Sequence, residues 1–264
     1  MRFIRVGCFA LLACLSFAAQ AKMVHRPVEW TLDGTHFKSV LVYDDASHVK
    51  RPGLVMVPNW YGLNDTAIKK ADMIAGKDYV ILLTDMYGEN VRPQPGHADQ
   101  AKAATAPLYA NRALMRKRIV EALAQLKAQA SSAPIDSGKL AAIGFCFGGT
   151  AVLDLARSGA DVAAVVSFHG GLSTDNPALA KNIKARVLAM NGADDKGTMP
   201  DADKFMDEMR SSSADWQFVV LGNAVHCFTE TEENSPGCKY DARAAARSYR
   251  LMHDWLHAAF NGVP

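Results

Sequence analysis

Two glycines constrain the chain most tightly, because of what stands between them. In Gly144-Phe145-Cys146-Phe147-Gly148-Gly149 a cysteine sits midway between Gly144 and Gly148. The apolar run Leu140-Ala141-Ala142-Ile143 leads in, short and ended by a glycine, as a buried strand is. Behind it, Thr150-Ala151-Val152-Leu153-Asp154-Leu155-Ala156-Arg157 is made mostly of good helix formers. A strand that turns this sharply into a helix forces the two backbones to cross closely, which residues without a Cβ allow. The cysteine at the apex then lies at a helix N-terminus, where the partial positive charge favours thiolate over thiol. Alone, such a residue reads better as a structural thiol in a glycine-rich turn. Residues further along the chain reverse that reading.

The first 21 residues are best set aside before any reasoning about the fold. Arg2 and Arg5 precede the apolar stretch Phe9 to Ala18, and Ala19-Gln20-Ala21 is a small-x-small cleavage site. This is the pattern of a Sec-type signal peptide, and its apolar part falls short of the roughly 20 residues a spanning helix needs. Leu12-Ala13-Cys14 matches a lipoprotein cleavage site poorly and ranks second. Cleavage near Ala21 leaves residues 22–264 as one domain, with no membrane span, in the periplasm or outside the cell. Losing Arg2 and Arg5 takes the formal charge from +2 to zero, so no electrostatic case for nucleic acid or anionic lipid remains. Cys8 and Cys14 leave with the segment. Cys146, Cys227 and Cys238 stay, and three thiols cannot all pair within one chain. In an oxidising compartment the odd one calls for a function.

The mature chain opens with two strand-like runs, Val28 to Leu32 and His36 to Tyr43, around the hairpin signal Asp33-Gly34. Gly53 to Val57 reads as a buried strand, and Asp65 as the cap of a helix running to about Gly76. A strand over Asp78 to Leu83 and a Gly- and Pro-rich loop from Thr84 to Pro95 follow. Helical spacing of apolar residues predicts helix from about Asp99 to Ala130. After the cysteine turn come strands at Val162 to Phe168, Ala185 to Met190 and Trp216 to Leu221, a helix from about Asp201 to Arg210, and a last helix from about Ala242 to Phe260. Strands alternating with helices predict an α/β fold, a mostly parallel sheet with helices on both faces. Reactive groups then belong at the carboxyl ends of the strands.

Three such ends carry the residues that matter. Cys146 follows one; Asn191-Gly192-Ala193-Asp194-Asp195 follows the next; Gly222-Asn223-Ala224-Val225-His226 follows the third. A cysteine nucleophile needs a base, and the base needs an acceptor on its other nitrogen to set tautomer and orientation. Separately, Asp195 reads as a turn residue and His226 as a surface one. In the order nucleophile, acid, histidine they match the α/β-hydrolase pattern, with Cys146 in place of serine in G-x-S-x-G. Cys146, Asp195 and His226 are therefore the predicted catalytic residues.

The chain resembles the dienelactone hydrolases over most of its mature length. The resemblance rests on Gly144 to Gly149 with the cysteine, on Asn59-Trp60-Tyr61-Gly62-Leu63-Asn64-Asp65, on Asp85-Met86-Tyr87-Gly88, on Gly192-Ala193-Asp194-Asp195, and on His226-Cys227-Phe228. It implies a single-domain α/β-hydrolase fold that cleaves a small-molecule ester or lactone through a Cys-His-Asp triad, with no metal or cofactor; a monomer is the separate expectation for the chain. The family's acid matches Asp195, leaving Asp194 as second choice, and its oxyanion hole matches the backbone N–H groups of Phe147 and Trp60. Asn59, Tyr61 and Tyr87 are the candidates for contacting substrate.

Three positions depart from the family. Where this chain has Asn59, the family often has a glutamate that holds the resting thiol neutral; with an amide there, a standing Cys146–His226 ion pair is expected. The prototype's carboxylate-binding arginines match Glu89 and Glu230, so the pocket mouth is expected to disfavour anionic substrates. Arg92, in the same loop as Glu89, is a candidate substitute clamp, although a solvated surface charge is the better reading of it. With Cys146 assigned to chemistry, Cys227 and Cys238 are left to form a disulfide, and Asn234-Ser235-Pro236-Gly237 gives the chain turn residues with which to double back. Competing readings are a redox or metal-binding protein built on His226, Cys227, Cys238 and Cys146, and a hydrolase-fold binding protein without activity. Zinc sites usually show close ligand pairs such as C-x₂-C or H-x₃-H, and His226-Cys227 followed by Cys238 fits neither.

Overall fold

The computed structural model describes residues 22–46 and 48–263; the signal segment expected at 1–21 lies outside them. Strands β1 (Met23–Leu32) and β2 (Thr35–Asp44) form the expected hairpin, with Leu32 paired to Thr35. Asp33 and Gly34 both take positive φ, 49° and 77°, as a two-residue turn between right-twisted strands requires. Then come β3 (Arg51–Val57), α1 (Asp65–Ala75), β4 (Val80–Leu83), α2 (Ala98–Ala110), α3 (Arg112–Ala128) and β5 (Ile135–Phe145). The chain continues through α4 (Phe147–Arg157), β6 (Ala164–Phe168), β7 (Arg186–Gly192), α5 (Ala202–Arg210) and β8 (Trp216–Leu221). It closes with a small hairpin, β9 (Asn234–Ser235) and β10 (Cys238–Lys239), and the long helix α6 (Ala242–Asn261).

Eight strands make one sheet in the order β1-β2-β4-β3-β5-β6-β7-β8. Within it only the pairings of β2 with β1 and β4 are antiparallel; β4, β3, β5, β6, β7 and β8 run parallel. Being covered on both sides, the central strands are apolar throughout rather than alternating: Leu54 to Val57 and Ala141 to Ile143 are fully buried. Helices α1 and α6 pack on one face, where Ala67, Ala71, Ala244, Met252 and Leu256 meet Leu54, Met56, Ile81 and Leu188. Helices α2 to α5 contribute to the other, where Leu108, Ile119, Val152 and Phe205 join Val55, Leu82 and Val187 in one core. Each fully buried Leu or Met contributes about 1.5–3 kcal/mol, so two such faces hold the sheet rigidly. From β3 the chain steps to β4 on one side, and β5 lies on the other. The switch point is therefore the cleft between β3 and β5, where open parallel sheets place their ligands.

Two local expectations differ from the structure. The helical stretch predicted from Asp99 to Ala130 is broken at Asn111, whose φ of −131° is not helical. Its Oδ1 accepts from Leu114 N at 3.0 Å and so starts α3, a competing local bond that asparagine offers and most residues do not. Helix α1 is capped one residue earlier than expected. Asn64 Oδ1 accepts from Ala67 N at 2.9 Å, while Asp65 sits in the first turn and complements the helix dipole.

Candidate active site

Cys146 occupies the apex between β5 and α4 with φ 53° and ψ −115°, a conformation that a non-glycine residue adopts only when its surroundings impose it. The imposition is visible in the glycines. A Cβ on Gly144 would lie 2.1 Å from Gly148 O, and one on Gly148 would lie 2.1 Å from Val57 O. Both contacts are with backbone, so neither neighbour can swing aside. Gly148→Ala is accordingly expected to separate α4 from β3 and abolish turnover, with loss of soluble folded protein or of several degrees in Tm. An alanine variant of wild-type activity would show that the crossing is looser than these distances.

His226 comes from the loop after β8. Its Nε2 lies 3.1 Å from Cys146 Sγ and its Nδ1 lies 2.7 Å from Asp195 Oδ2. Asp195, 2% exposed, follows β7 and is held from every side: Thr198 Oγ1 also donates to Oδ2, and Gly197 N and Thr198 N donate to Oδ1. Although desolvation pushes this carboxyl up, the hydrogen bond and charge of His226, with Thr198 and Gly197, hold it below its usual value. On His226 burial disfavours the cation, but the hydrogen bonds to Asp195 and Cys146 and their charges outweigh it and raise the pKa to about 10. One ring nitrogen thus faces the carboxylate and the other faces the sulfur. Asp194, the second choice for the acid, is exposed and makes no side-chain hydrogen bond among the described residues.

The loop after β3 supplies Trp60. Neither its backbone N–H nor that of Phe147 has an acceptor among the described residues. Tyr87 buttresses this side, its ring 5.4 Å from Phe147 and its hydroxyl donating to Trp60 O at 3.0 Å. Burial first, and the charges of Cys146 and Asp85 after it, hold that phenol well above its usual range, so it stays a donor.

A cavity of about 690 Å³ opens above the sulfur, walled by Tyr109, Gly171, Lys196, Val225, Pro236 and Gly237 as well as Cys146, Asp195 and His226. Asn59, Tyr61, Tyr87 and Arg92, expected to contact substrate, do not line it. Asn59 is turned to Glu230 and to Tyr61 N. Tyr61 and Tyr87 are buried. Arg92 donates to Asp85 Oδ2 at 2.8 Å and to Gly88 O, and it faces a separate groove. The two glutamates expected at the pocket mouth are elsewhere too. Glu230 is 3% exposed and paired with Lys70, and Glu89 lies 3.7 Å from His36. The walls contributed by Tyr109, Lys196 and Pro236-Gly237 carry no motif in the sequence; only the turn character of Pro236-Gly237 marked that segment.

Cys227 and Cys238 are joined by a disulfide, their Cα atoms 4.9 Å apart, and so are not available as the metal-binding thiolates of the competing reading. Among the described residues no cluster of three or more His, Cys, Asp or Glu side chains suits a metal ion. The bridge ties β10 to the residue following His226, and Lys239 N donates to His226 O at 2.9 Å. Closing a loop of this length contributes about 3 kcal/mol in the chain-entropy account. That restraint falls on the segment that presents the histidine.

A sharp strand–turn–helix carrying Cys146, a mostly parallel sheet and a histidine delivered after that sheet's last strand together define the α/β-hydrolase class. The model of the dienelactone hydrolase family matches residues 37–260, and the chain belongs to that family, whose members hydrolyse ester or lactone bonds. A dienelactone hydrolase-like promiscuous phosphotriesterase from metagenomic libraries is 37% identical, with a TM-score of 0.82 over 90% of this chain and 98% of that one. An uncharacterized protein of Caenorhabditis elegans is 36% identical over 158 residues, 55% of this chain and 94% of its own. The dienelactone hydrolase of Anabaena variabilis, 20% identical with a TM-score of 0.65 over 89% of this chain and 97% of its own, shares the fold.

Proposed function

We propose that this protein is an exported hydrolase of small neutral esters or lactones, working through a thioester on Cys146. The observation that carries the reading is the relay itself, 3.1 Å from sulfur to His226 and 2.7 Å from His226 to a carboxylate buried and held by three further donors. The sulfur attacks the carbonyl carbon, forming the C–S bond while the carbonyl electrons move onto oxygen. The Phe147 and Trp60 N–H groups receive that negative charge. Collapse breaks the C–O bond, and the leaving alkoxide takes the proton on His226 Nε2. With the sulfur acylated, His226 loses the neighbour whose charge raised its pKa. It is then a neutral base, takes a proton from water, and hydroxide cleaves the thioester to the acid, restoring the thiolate and imidazolium. Asp195 stays ionised throughout and holds the ring's orientation.

Export is supported by the composition of residues 1–21 and by the Cys227–Cys238 disulfide, a bond that persists in oxidising compartments. Preference for neutral substrates rests on the cavity walls. No arginine is among them, and their one lysine, Lys196, stands exposed beside Asp194. Neutral short-chain aryl esters are therefore expected to show a higher kcat/KM than lactones bearing a carboxylate. Rapid quenching with such an ester should leave an acyl mass on the peptide containing Cys146 and on no other. Label on a different residue would end the reading; faster turnover of the anionic lactone at low salt would instead make Lys196 a substrate clamp.

A further inference from the structure

Beneath the reactive residues lies a buried charge pair that the reaction as described does not use. Glu230 Oε1 is 2.6 Å from Lys70 Nζ, with the two side chains 3% and 10% exposed. Lys70 comes from α1, where its cation also sits 4.3 Å from the Phe145 ring centroid. Glu230 belongs to the loop that presents His226 and is placed by a turn in which its N–H donates to Cys227 O at 2.8 Å. Glu230 Oε1 also accepts from Thr229 Oγ1, which lies 2.7 Å from Nε2 of the fully buried His169. The second oxygen, Oε2, accepts from Asn59 Nδ2 at 2.7 Å.

That last bond reaches the oxyanion donor. Asn59 Oδ1, fixed once Nδ2 is fixed, accepts from Tyr61 N at 3.0 Å. Tyr61 N–H and Trp60 C=O belong to one peptide plane, and Tyr87 holds the carbonyl edge of that plane at 3.0 Å. The preceding plane carries the Trp60 N–H. Its carbonyl, Asn59 O, accepts from Gly62 N at 2.9 Å, so its N–H edge is aimed the opposite way. Both planes beside the donor are thus gripped, and most of these bonds involve Asn59. Glu230 is the group that keeps the Asn59 side chain from rotating.

We propose that Glu230, neutralised by Lys70, is a positioning residue that aims the Trp60 N–H at the developing oxyanion by clamping Asn59. The proposal rests on Cys146 acting as the nucleophile. A bare carboxylate at this depth would be strongly disfavoured, and Lys70 supplies the partner it needs while it accepts two further hydrogen bonds. One loop then carries both the base, His226, and the residue that sets the donor for the opposite side of the substrate carbonyl.

Glu230→Gln keeps the volume of the side chain but cannot accept from Asn59 and Lys70 at once, because one of its two positions is now a donor. It is expected to lower kcat/KM for a neutral aryl ester by about 10- to 100-fold, the effect of a misaimed group near the reacting atoms. Alkylation of Cys146 by iodoacetamide needs the thiolate but forms no oxyanion, so its rate and pH profile should stay those of the wild type. A role confined to holding the fold would instead move both readouts together. Lys70→Met combined with Glu230→Leu removes both charges from the buried site together with the acceptor for Asn59, and guards against collapse of the single variant. It should unfold cooperatively and show the same split between hydrolysis and alkylation. Unchanged hydrolysis in either folded variant, or alkylation falling in step with hydrolysis, overturns the proposal. Undiminished hydrolysis by Cys146→Ala would refute the nucleophile assignment itself, a result separable from both.

Discussion

His226→Ala is expected to slow ester hydrolysis by about 10⁴- to 10⁶-fold, and Cys146→Ala by a similar factor. The two changes together should cost little more than either, because sulfur and imidazole act as one unit across 3.1 Å. Steady-state rates of the two single variants and the double variant measure this directly. Effects that multiplied in the double variant would mean that the histidine works on something other than the cysteine. Asp195→Ala should lie between those variants and the wild type, since losing the carboxylate frees the ring to turn without removing it. It should exceed Asp194→Ala, and the reverse ranking would reassign the acid.

The largest expected effect on stability lies away from the sulfur. Arg157, 1% exposed at the end of α4, donates Nε and Nη2 to the two oxygens of Glu208 at 2.7 and 2.8 Å. It also reaches Asp154 Oδ1 at 3.1 Å and Leu172 O at 3.0 Å. Asp154 has a second cation in Arg112, bound through two hydrogen bonds of 2.8 Å, but Glu208 in α5 has no other cationic partner among the described residues. Arg157→Met would strand that carboxylate in the interior and is expected to cost about 3–5 kcal/mol, roughly a third of the stability of a typical domain. Thermal or urea unfolding reads this out. Arg157→Met with Glu208→Leu should recover much of the loss, because a pair replaced whole leaves no unpaired charge. A single variant within about 1 kcal/mol of wild type would show that water reaches Glu208 in the fold.

What could be read from the sequence was local. The turn around Cys146 is written in consecutive residues, since only small groups fit where β5, α4 and β3 cross, and so the strand–turn–helix unit was legible there. The strand ends bearing Asp195 and His226 were legible for the same reason: each follows an unbroken apolar run. Choosing Asp195 over Asp194 needed the resemblance to the family, because two adjacent carboxylates in a glycine-rich turn have the same composition. The break at Asn111 was missed because apolar periodicity runs straight through it; the asparagine's competing hydrogen bond has no period. Partners distant in sequence were beyond reach. Glu230 meets Lys70 and Asn59 across 160 and 171 positions, so nothing local distinguishes it from a surface glutamate. It is buried against Lys70 rather than placed at the pocket mouth, and Arg92 is bonded to Asp85 from its own loop.

The ring closed by Cys227 and Cys238 has a consequence for survival wherever this protein meets proteases. Its outer arc, Thr231 to Gly237, is largely exposed, the kind of segment that such enzymes find first. A single cut anywhere on that arc severs the backbone but leaves the molecule in one covalent piece. The histidine stays on one side of the nick, helix α6 on the other, and sulfur joins them. A clipped enzyme would keep both the wall that Pro236 and Gly237 lend the cavity and the fastening of its base, where an unbridged loop would shed them at the first cleavage.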